Sequence, residues 1–313
     1  MLDKSILTLK KQYLEYLEIE KNRSAKTLEN YNRYLTKFLN FLAAKTNKKI
    51  EQLSIKDINQ ETVRQFRLYL NRLEGQKENL KKITQNYYII ALRGFLKYLT
   101  KIGVKCLPPD QVELAKIGRN EIELISFNEL ERLLNAPAGN SVKDYRDRAI
   151  LEVLFATGLR VSELCRLNRD SINLERGEFS VKGKGGKIRL VFLSNPAREA
   201  LKKYLEKRTD IEEPLFVTFK KSKKTEVIGR MTPRSVQRLI NFYAKKAGIV
   251  RRVTPHTLRH LFATDLLQNG ADLRSVQILL GHSNISTTQV YTHLTDKELR
   301  EIYQTFHARR RKK

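Results

Sequence analysis

The sequence predicts a mainly α-helical protein with a small β-sheet, an α+β fold divided into two domains. The first observation is length, because 313 residues are enough to bury two separate cores. The second is that apolar residues recur every three or four positions from residue 5 to about 102. The third is the segment EFSVKGKGGKIRLVFL, where apolar and polar residues alternate as they do in strands.

Four amphipathic helices are expected in the first domain, residues 1–103. Their apolar positions include Leu14, Leu17, Leu28, Tyr31, Leu35, Phe38, Leu42, Val63, Phe66, Leu70, Tyr88, Leu92, Phe95 and Leu99. Ser24, Asn59 and Asn79 stand where the second, third and fourth helices would begin, and Gly75 and Gly103 stand where the last two would end. The pattern is typical of a small helical bundle.

A linker is predicted at 104–125, because Pro108 and Pro109 are followed by charged residues without clear periodicity. The second domain, 126–313, is expected to open with a helix near 127–135 and to continue through RDRAILEVLFATGL. A strand–turn–strand follows, and helices resume after Pro196.

The charge balance indicates a polyanionic partner, with nucleic acid the first candidate. The chain has 61 Lys and Arg against 34 Asp and Glu, a formal charge of +27, and both parts of the chain share the excess. Cys106 and Cys165 form no CxxC pair, which suits a reducing compartment. No apolar run approaches ~18 residues, so a cytoplasmic protein without a membrane segment is expected.

Polar residues of the second domain form three motifs that could carry chemistry. In TPHTLRH, Thr254 can cap a helix that Pro255 opens, which places His256 and Arg259 on one face of its first turns. Alone, such a pair is more typical of a solvated helix end. Both groups are nevertheless donors that could reach one anion near the positive end of the helix dipole.

The second motif is LLGHSNISTTQVYTH. Gly281 is expected to end a helix with the apolar stripe Leu273, Val276, Leu279 and Leu280, which leaves His282 in the following loop. Ser286 and Gln289 resemble a capping box and place Tyr291 in the second turn of a new helix. A tyrosine among apolar neighbours is usually a core residue, so this pattern alone does not identify a nucleophile.

The third motif, ATGLRVSEL, interrupts an apolar helix at Gly158 and starts another near Ser162. Arg160 lies in the break, where its five donors need a partner oxygen or a ligand. Glu163 is the expected partner, either in a buried ion pair or beside a bound anion. Both interpretations remain open at this point.

The ordered set resembles the tyrosine recombinase (lambda-integrase) family over nearly the whole chain, and Xer-type recombinases most closely. The resemblance rests on RDRAILEVLFATGLRVSELCRL, a glycine–lysine hairpin, PHTLRHLFATDLL, NGADLRSVQILLGHSNISTTQVYTH and the FHARR tail. It implies an N-terminal core-binding (SAM-like) helical bundle and a tyrosine recombinase catalytic domain, which together form a C-shaped clamp on DNA. The longer charged linker and the KKSKK insertion depart from the Xer pattern.

The resemblance also implies an active site. Its members are Arg160, Lys184, His256, Arg259, His282 and the nucleophile Tyr291, with Glu163 as an accessory acidic residue. The arginines would stabilise charge on the phosphate, His256 would take the phenol proton and Lys184 would protonate the leaving oxygen. Lys182 and Lys187 are alternatives to Lys184 in the same turn.

Site-specific strand exchange through a 3′-phosphotyrosine and a Holliday junction is the implied reaction, in the resolution of chromosome or plasmid dimers. The implied partners are double-stranded recombination sites, a homotetramer or heterotetramer on two paired sites with the last helix contacting a neighbouring protomer, and a DNA translocase as a regulator. No metal or other cofactor is expected, and the location would be the nucleoid. The alternatives are a phage, transposon or integron integrase, a type IB topoisomerase, or a DNA-binding protein without activity.

Overall fold

The computed structural model of the chain describes residues 5–73, 80–116, 124–183, 186, 188–220, 226–281 and 296–307. The chain folds as two compact units, Met1–Glu121 and Ile122–Lys313, which are described one at a time. Helices predominate in both units, and the strands of the described residues are short and lie in the second unit, which confirms the predicted fold class. No helix among the described residues combines the length and apolar character needed to cross a membrane.

The first unit contains the four helices that the periodicity predicts. They are α1 (Ile6–Ile19), α2 (Ala25–Thr46), α3 (Gln60–Asn71) and α4 (Lys82–Lys101), with short 3₁₀ turns at Ile50–Gln52, Ile55–Asp57 and Pro109–Gln111. Ser24 and Asn59 cap α2 and α3 as expected, and each accepts a hydrogen bond from a backbone N–H of the first turn. Asn79 and Gly75 lie outside the described residues.

An aromatic and aliphatic core holds this bundle together. Phe66, Leu42 and Leu99 are fully buried at its centre, and the ring of Phe38 meets that of Phe66 edge to face at 5.0 Å. The first part of the predicted linker, 104–116, packs against the same core. Within it Val112 is buried, and the Asn86 side chain exchanges two hydrogen bonds with the backbone of Ala115.

The second unit is built from eight helices and two strand pairs within the described part of the chain. The helices are α5 (Phe127–Asn135), α6 (Val142–Thr157), α7 (Val161–Arg166), α8 (Asn195–Lys207), α9 (Pro233–Lys246), α10 (Pro255–Gln268), α11 (Leu273–Leu280) and α12 (Asp296–Phe306). The strands are β1 (Glu178–Lys182), antiparallel to β2 (Ile188–Phe192), and β3 (Val217–Phe219), antiparallel to β4 (Val227–Arg230). The first pair is the predicted hairpin, whereas the second interrupts the region where only helices are predicted.

Helix α6 forms the centre of this unit. Every residue from Ala149 to Thr157 is buried, because α6 packs against α5, α8, α9, α10 and β2. At its amino end a buried ion pair joins Arg146 to Asp147, and the hydroxyl of Tyr243 on α9 donates to the same carboxylate. Helix α6 is therefore held firmly in the core, and it fixes the position of the break that follows Thr157.

Helix α12 packs on its own unit and closes a smaller apolar cluster. Tyr303 and His307 are buried against Phe192 of β2 and Phe262 of α10. The Nδ1 atom of His307 lies 3.2 Å from an Asp265 carboxylate oxygen. The expected contact of this helix with a neighbouring protomer stays a prediction.

Candidate active site

The break between α6 and α7 places Arg160 beside Glu163. Gly158 ends α6 in the left-handed conformation (φ 58°), and α7 begins at Val161. The Glu163 carboxylate accepts from the Arg160 backbone N–H at 2.9 Å and from its guanidinium at 2.8 Å, as the three-residue spacing predicts. Glu163 is buried, while about 28% of the Arg160 side chain is exposed. Arg160 is thus held by Glu163, but part of its side chain remains accessible.

Helix α10 supplies a second guanidinium. The Thr254 side chain caps the helix and Pro255 occupies its first turn, as the motif predicts. His256 is exposed at this amino end, whereas Arg259, one turn later, is buried. The Arg259 guanidinium donates to the Gly158 carbonyl at 2.6 Å and to the Leu280 carbonyl at 2.7 Å. These bonds fix Arg259 between the ends of α6 and α11.

A third guanidinium, that of Arg189, was not predicted. It lies on β2 and donates to both carboxylate oxygens of Glu163, at 3.1 and 2.7 Å, and to the Leu279 carbonyl at 3.2 Å. A signal was available in the strand pattern. Arg189 is two residues before the buried Val191, so a charged side chain falls on the inward face of β2.

The three guanidiniums meet at the carboxyl end of α11. Successive carbonyls there, those of Leu279, Leu280 and Gly281, accept from Arg189, Arg259 and Arg160 respectively. The last carbonyls of a helix have no partner within the helix and lie at the negative end of its dipole. This one helix end therefore gathers side chains from β2, α10 and the α6–α7 break, which are far apart in sequence.

Positive charge exceeds negative charge in this cluster. Among the described residues, one carboxylate, that of Glu163, stands against three guanidiniums. Burial opposes ionisation of Glu163, but the hydrogen bonds from Arg189 and Arg160 outweigh it and lower its pKa to about 2. Burial, together with the neighbouring charges of Arg160 and Arg189, lowers the pKa of Arg259 to about 10. An anion bound here would relieve that repulsion, so the cluster is suited to a phosphate.

Three residues of the predicted site, Lys184, His282 and Tyr291, lie outside the described residues, as does the predicted capping box at Ser286 and Gln289. The structure brings Arg160, Glu163 and Arg259 together and places His256, which is exposed, at the amino end of α10. The predicted stripe of α11 needs one correction. Leu273 is 62% exposed, because it is the first residue of the helix and precedes the turn that packs on the core.

Gly158 leaves no room for a side chain. A Cβ there would lie 2.6 Å from Cδ1 of Phe262, and the left-handed backbone costs an alanine about 1–2 kcal/mol. With overpacking of about 1–3 kcal/mol added, Gly158→Ala is expected to lower the free energy of unfolding by about 2–5 kcal/mol in urea denaturation. Gly248→Ala is the matched control, since Gly248 has φ 70° and an added Cβ meets nothing within 4 Å. Equal losses in the two variants would contradict the packing argument.

Two family comparisons match most of the chain. The phage integrase family matches residues 123–298, and the phage integrase N-terminal SAM-like domain matches residues 11–103. The two matches follow the two compact units, and Arg160, Arg189 and Arg259 lie within the phage integrase match, in the second unit. Together they define the class of protein as a site-specific DNA recombinase, an enzyme that binds DNA.

Comparison with known sequences and solved structures identifies similar proteins. The chain is 36% identical to tyrosine recombinase XerC of Thermodesulfovibrio yellowstonii over 94% of both chains. It is also 36% identical to tyrosine recombinase XerD of Staphylococcus saprophyticus, over 96% of this chain and 99% of that one. A solved structure of XerH site-specific recombinase bound to difH substrate, in a pre-cleavage complex, is 25% identical with a TM-score of 0.62, covering 93% of this chain and 82% of that one.

The chain belongs to the tyrosine recombinase (phage integrase) family, as its motifs predict. Both sequence relatives are Xer recombinases that align along nearly their whole length. These relatives support the Xer-like interpretation over the mobile-element integrase, topoisomerase and non-catalytic alternatives.

Proposed function

We propose that this chain cuts a DNA strand at a specific site and rejoins it to another strand through a 3′-phosphotyrosine made by Tyr291. Exchange between two paired sites passes through a Holliday junction and, in the Xer-like role, resolves dimers of a chromosome or plasmid. The surplus of guanidinium charge at the carboxyl end of α11 is the observation that supports this chemistry most directly.

The two predicted arginines suit a phosphodiester under attack. In-line displacement places additional negative charge on the nonbridging oxygens, and preorganised donors stabilise that charge where it develops. Arg259 commits two of its five N–H groups to the Gly158 and Leu280 carbonyls, so its position is set before DNA binds. Arg160 is partly exposed, and the N–H groups that it does not use for Glu163 and the Gly281 carbonyl can donate to the same phosphate.

The remaining proposed residues move protons. The phenol of Tyr291 has a reference pKa near ~10, so the nearby cations and a base must promote its ionisation. His256, exposed at the amino end of α10, takes that proton, and His282 donates to the phosphate. As the tyrosine oxygen bonds to phosphorus, the bond to the 5′-oxygen breaks and Lys184 protonates the leaving oxygen. A 5′-hydroxyl reverses the step, so no nucleotide cofactor or metal is required.

The proposed partners follow from charge and family. Residues 1–103 act as the core-binding domain, 104–125 as a linker and 126–313 as the catalytic domain. Double-stranded recombination sites are bound by many Lys and Arg, so affinity falls steeply with salt. Four protomers, identical or of two related kinds, occupy two paired sites, with α12 contacting a neighbour. A DNA translocase regulates the reaction, which takes place on the nucleoid in the cytoplasm.

A nicked substrate tests the proposal. Fragments bound by the protein are first selected from random DNA, and a nick is then introduced beside the mapped cleavage position. Cleavage beside the nick releases a short fragment, so the cut strand cannot be rejoined. We therefore expect a covalent protein–DNA adduct that survives denaturation. The proposal would be rejected if the wild-type chain formed an adduct on none of the selected sites.

A further inference from the structure

Arg189 connects three segments that carry proposed active-site residues. It lies on β2, five residues after Lys184 in the sequence. Its guanidinium donates to both carboxylate oxygens of Glu163, beside Arg160, and to the Leu279 carbonyl at the end of α11, three residues before His282 in the sequence. About 9% of its side chain is exposed.

We propose that Arg189 is a positioning residue for strand cleavage, which neutralises Glu163 and thereby leaves Arg160 available to the DNA phosphate. This inference rests on the proposed function and adds to it a residue that does not itself touch the reacting atoms. Its positive charge contributes to the field at the phosphate, but its hydrogen bonds are directed to Glu163 and to a backbone carbonyl.

Competition for Arg160 is the physical basis of this role. Glu163 is buried, and its carboxylate accepts from both Arg160 and Arg189. A buried carboxylate requires charge and hydrogen-bond compensation. With Arg189 removed, Arg160 would be the remaining guanidinium partner among the contacts described for Glu163. Arg160 would then be drawn toward the carboxylate and away from a phosphate that needs the same donors.

Gly281 makes room for this arrangement. It ends α11 with φ 63°, and a Cβ there would lie 2.8 Å from Cδ and 3.2 Å from an Nη of Arg189. The absence of a side chain thus serves two purposes: it permits the left-handed turn and lets Arg189 cross the helix end. The same residue provides the carbonyl that accepts from Arg160.

A double-mutant cycle separates positioning from simple structural support. Arg189→Met, Glu163→Gln and the double variant are compared by the single-turnover rate of adduct formation at saturating nicked DNA. Arg189→Met is expected to be slower than wild type by about tenfold, less than the 10²–10³-fold typical of losing a direct transition-state donor. The double variant is expected to match Glu163→Gln alone, because a neutral side chain does not compete for Arg160.

Arg198→Met is the control for loss of a guanidinium that donates to backbone carbonyls. Arg198 lies on α8 and, like Arg189, donates to backbone carbonyls, those of Leu174 and Glu175, both at 2.9 Å. This variant should keep the wild-type rate even if its thermal stability falls. Thermal unfolding is recorded for every variant. If Arg189→Met does not fold, Arg189→Lys replaces it in the cycle, with a smaller loss that Glu163→Gln again removes.

The outcomes are distinct. A wild-type rate in Arg189→Met, or a loss in the double variant equal to the product of the two single losses, overturns the positioning role and leaves the proposed function standing. A wild-type chain that forms no adduct overturns the proposed function and the role of Arg189 with it. If the double variant forms the adduct at the rate of Glu163→Gln alone, both the proposed function and the positioning role of Arg189 are supported. A merely structural contact would not be rescued by neutralising Glu163.

Discussion

Replacing Tyr291 with phenylalanine is expected to abolish the covalent protein–DNA adduct while leaving DNA binding unchanged. The substitution removes one hydroxyl oxygen, the proposed nucleophile, and adds no charge that would disturb binding to phosphates. Loss of a nucleophile costs an enzyme about 10⁴-fold or more in the chemical step. Adduct formation is measured on the nicked site in a denaturing gel, and binding is measured by gel shift at the same salt concentration.

Tyr303→Phe is the matched control, since Tyr303 is also in the C-terminal part of the chain but is buried against Phe192 and Phe262. It should form the adduct. An adduct that persists in Tyr291→Phe would mean that another of the 13 tyrosines is the nucleophile, and peptide mapping of the DNA-linked fragment would identify it.

A second large effect is expected at Arg259. Arg259→Lys should slow adduct formation by about 10³-fold, near the upper end for loss of one preorganised donor group. Lysine keeps the charge but is a point donor, so it cannot hold the Gly158 and Leu280 carbonyls together and still present a planar edge to phosphate. The pKa of about 10 keeps Arg259 itself charged near neutral pH.

Arg230→Lys provides the comparison for Arg259. Arg230 also bridges two backbone carbonyls of the second unit, those of Cys165 and Leu167, each at 3.0 Å, but it makes no contact with the arginine cluster among the described residues. Both variants should lose some stability in urea, whereas only Arg259→Lys should lose cleavage. Comparable cleavage rates in the two variants would count against a catalytic role for Arg259.

The helices of the first unit were predictable from sequence because each buries one face. Apolar residues at helical spacing therefore mark α1 to α4 directly. The β3–β4 pair was missed for the opposite reason. Its strands are only three and four residues long, so the alternation of their burial is too short to distinguish strand from loop in the sequence.

The local part of the candidate site was predictable as well, since Arg160 and Glu163 are three residues apart and meet across one helical turn. The rest depends on tertiary structure. Arg259 contacts the carbonyl of Gly158, 101 positions earlier, and Arg189 contacts that of Leu279, 90 positions later. Backbone carbonyls have no sequence signature, so a helix end that gathers three arginines becomes visible only when the chain is folded.

Helix α12 packs on α10, α11 and β2. These same elements carry Arg259, the accepting carbonyls and Arg189. A shift of α12 would therefore disturb the elements that hold Arg259 and Arg189, so the packing of the last helix affects the geometry of the guanidinium cluster.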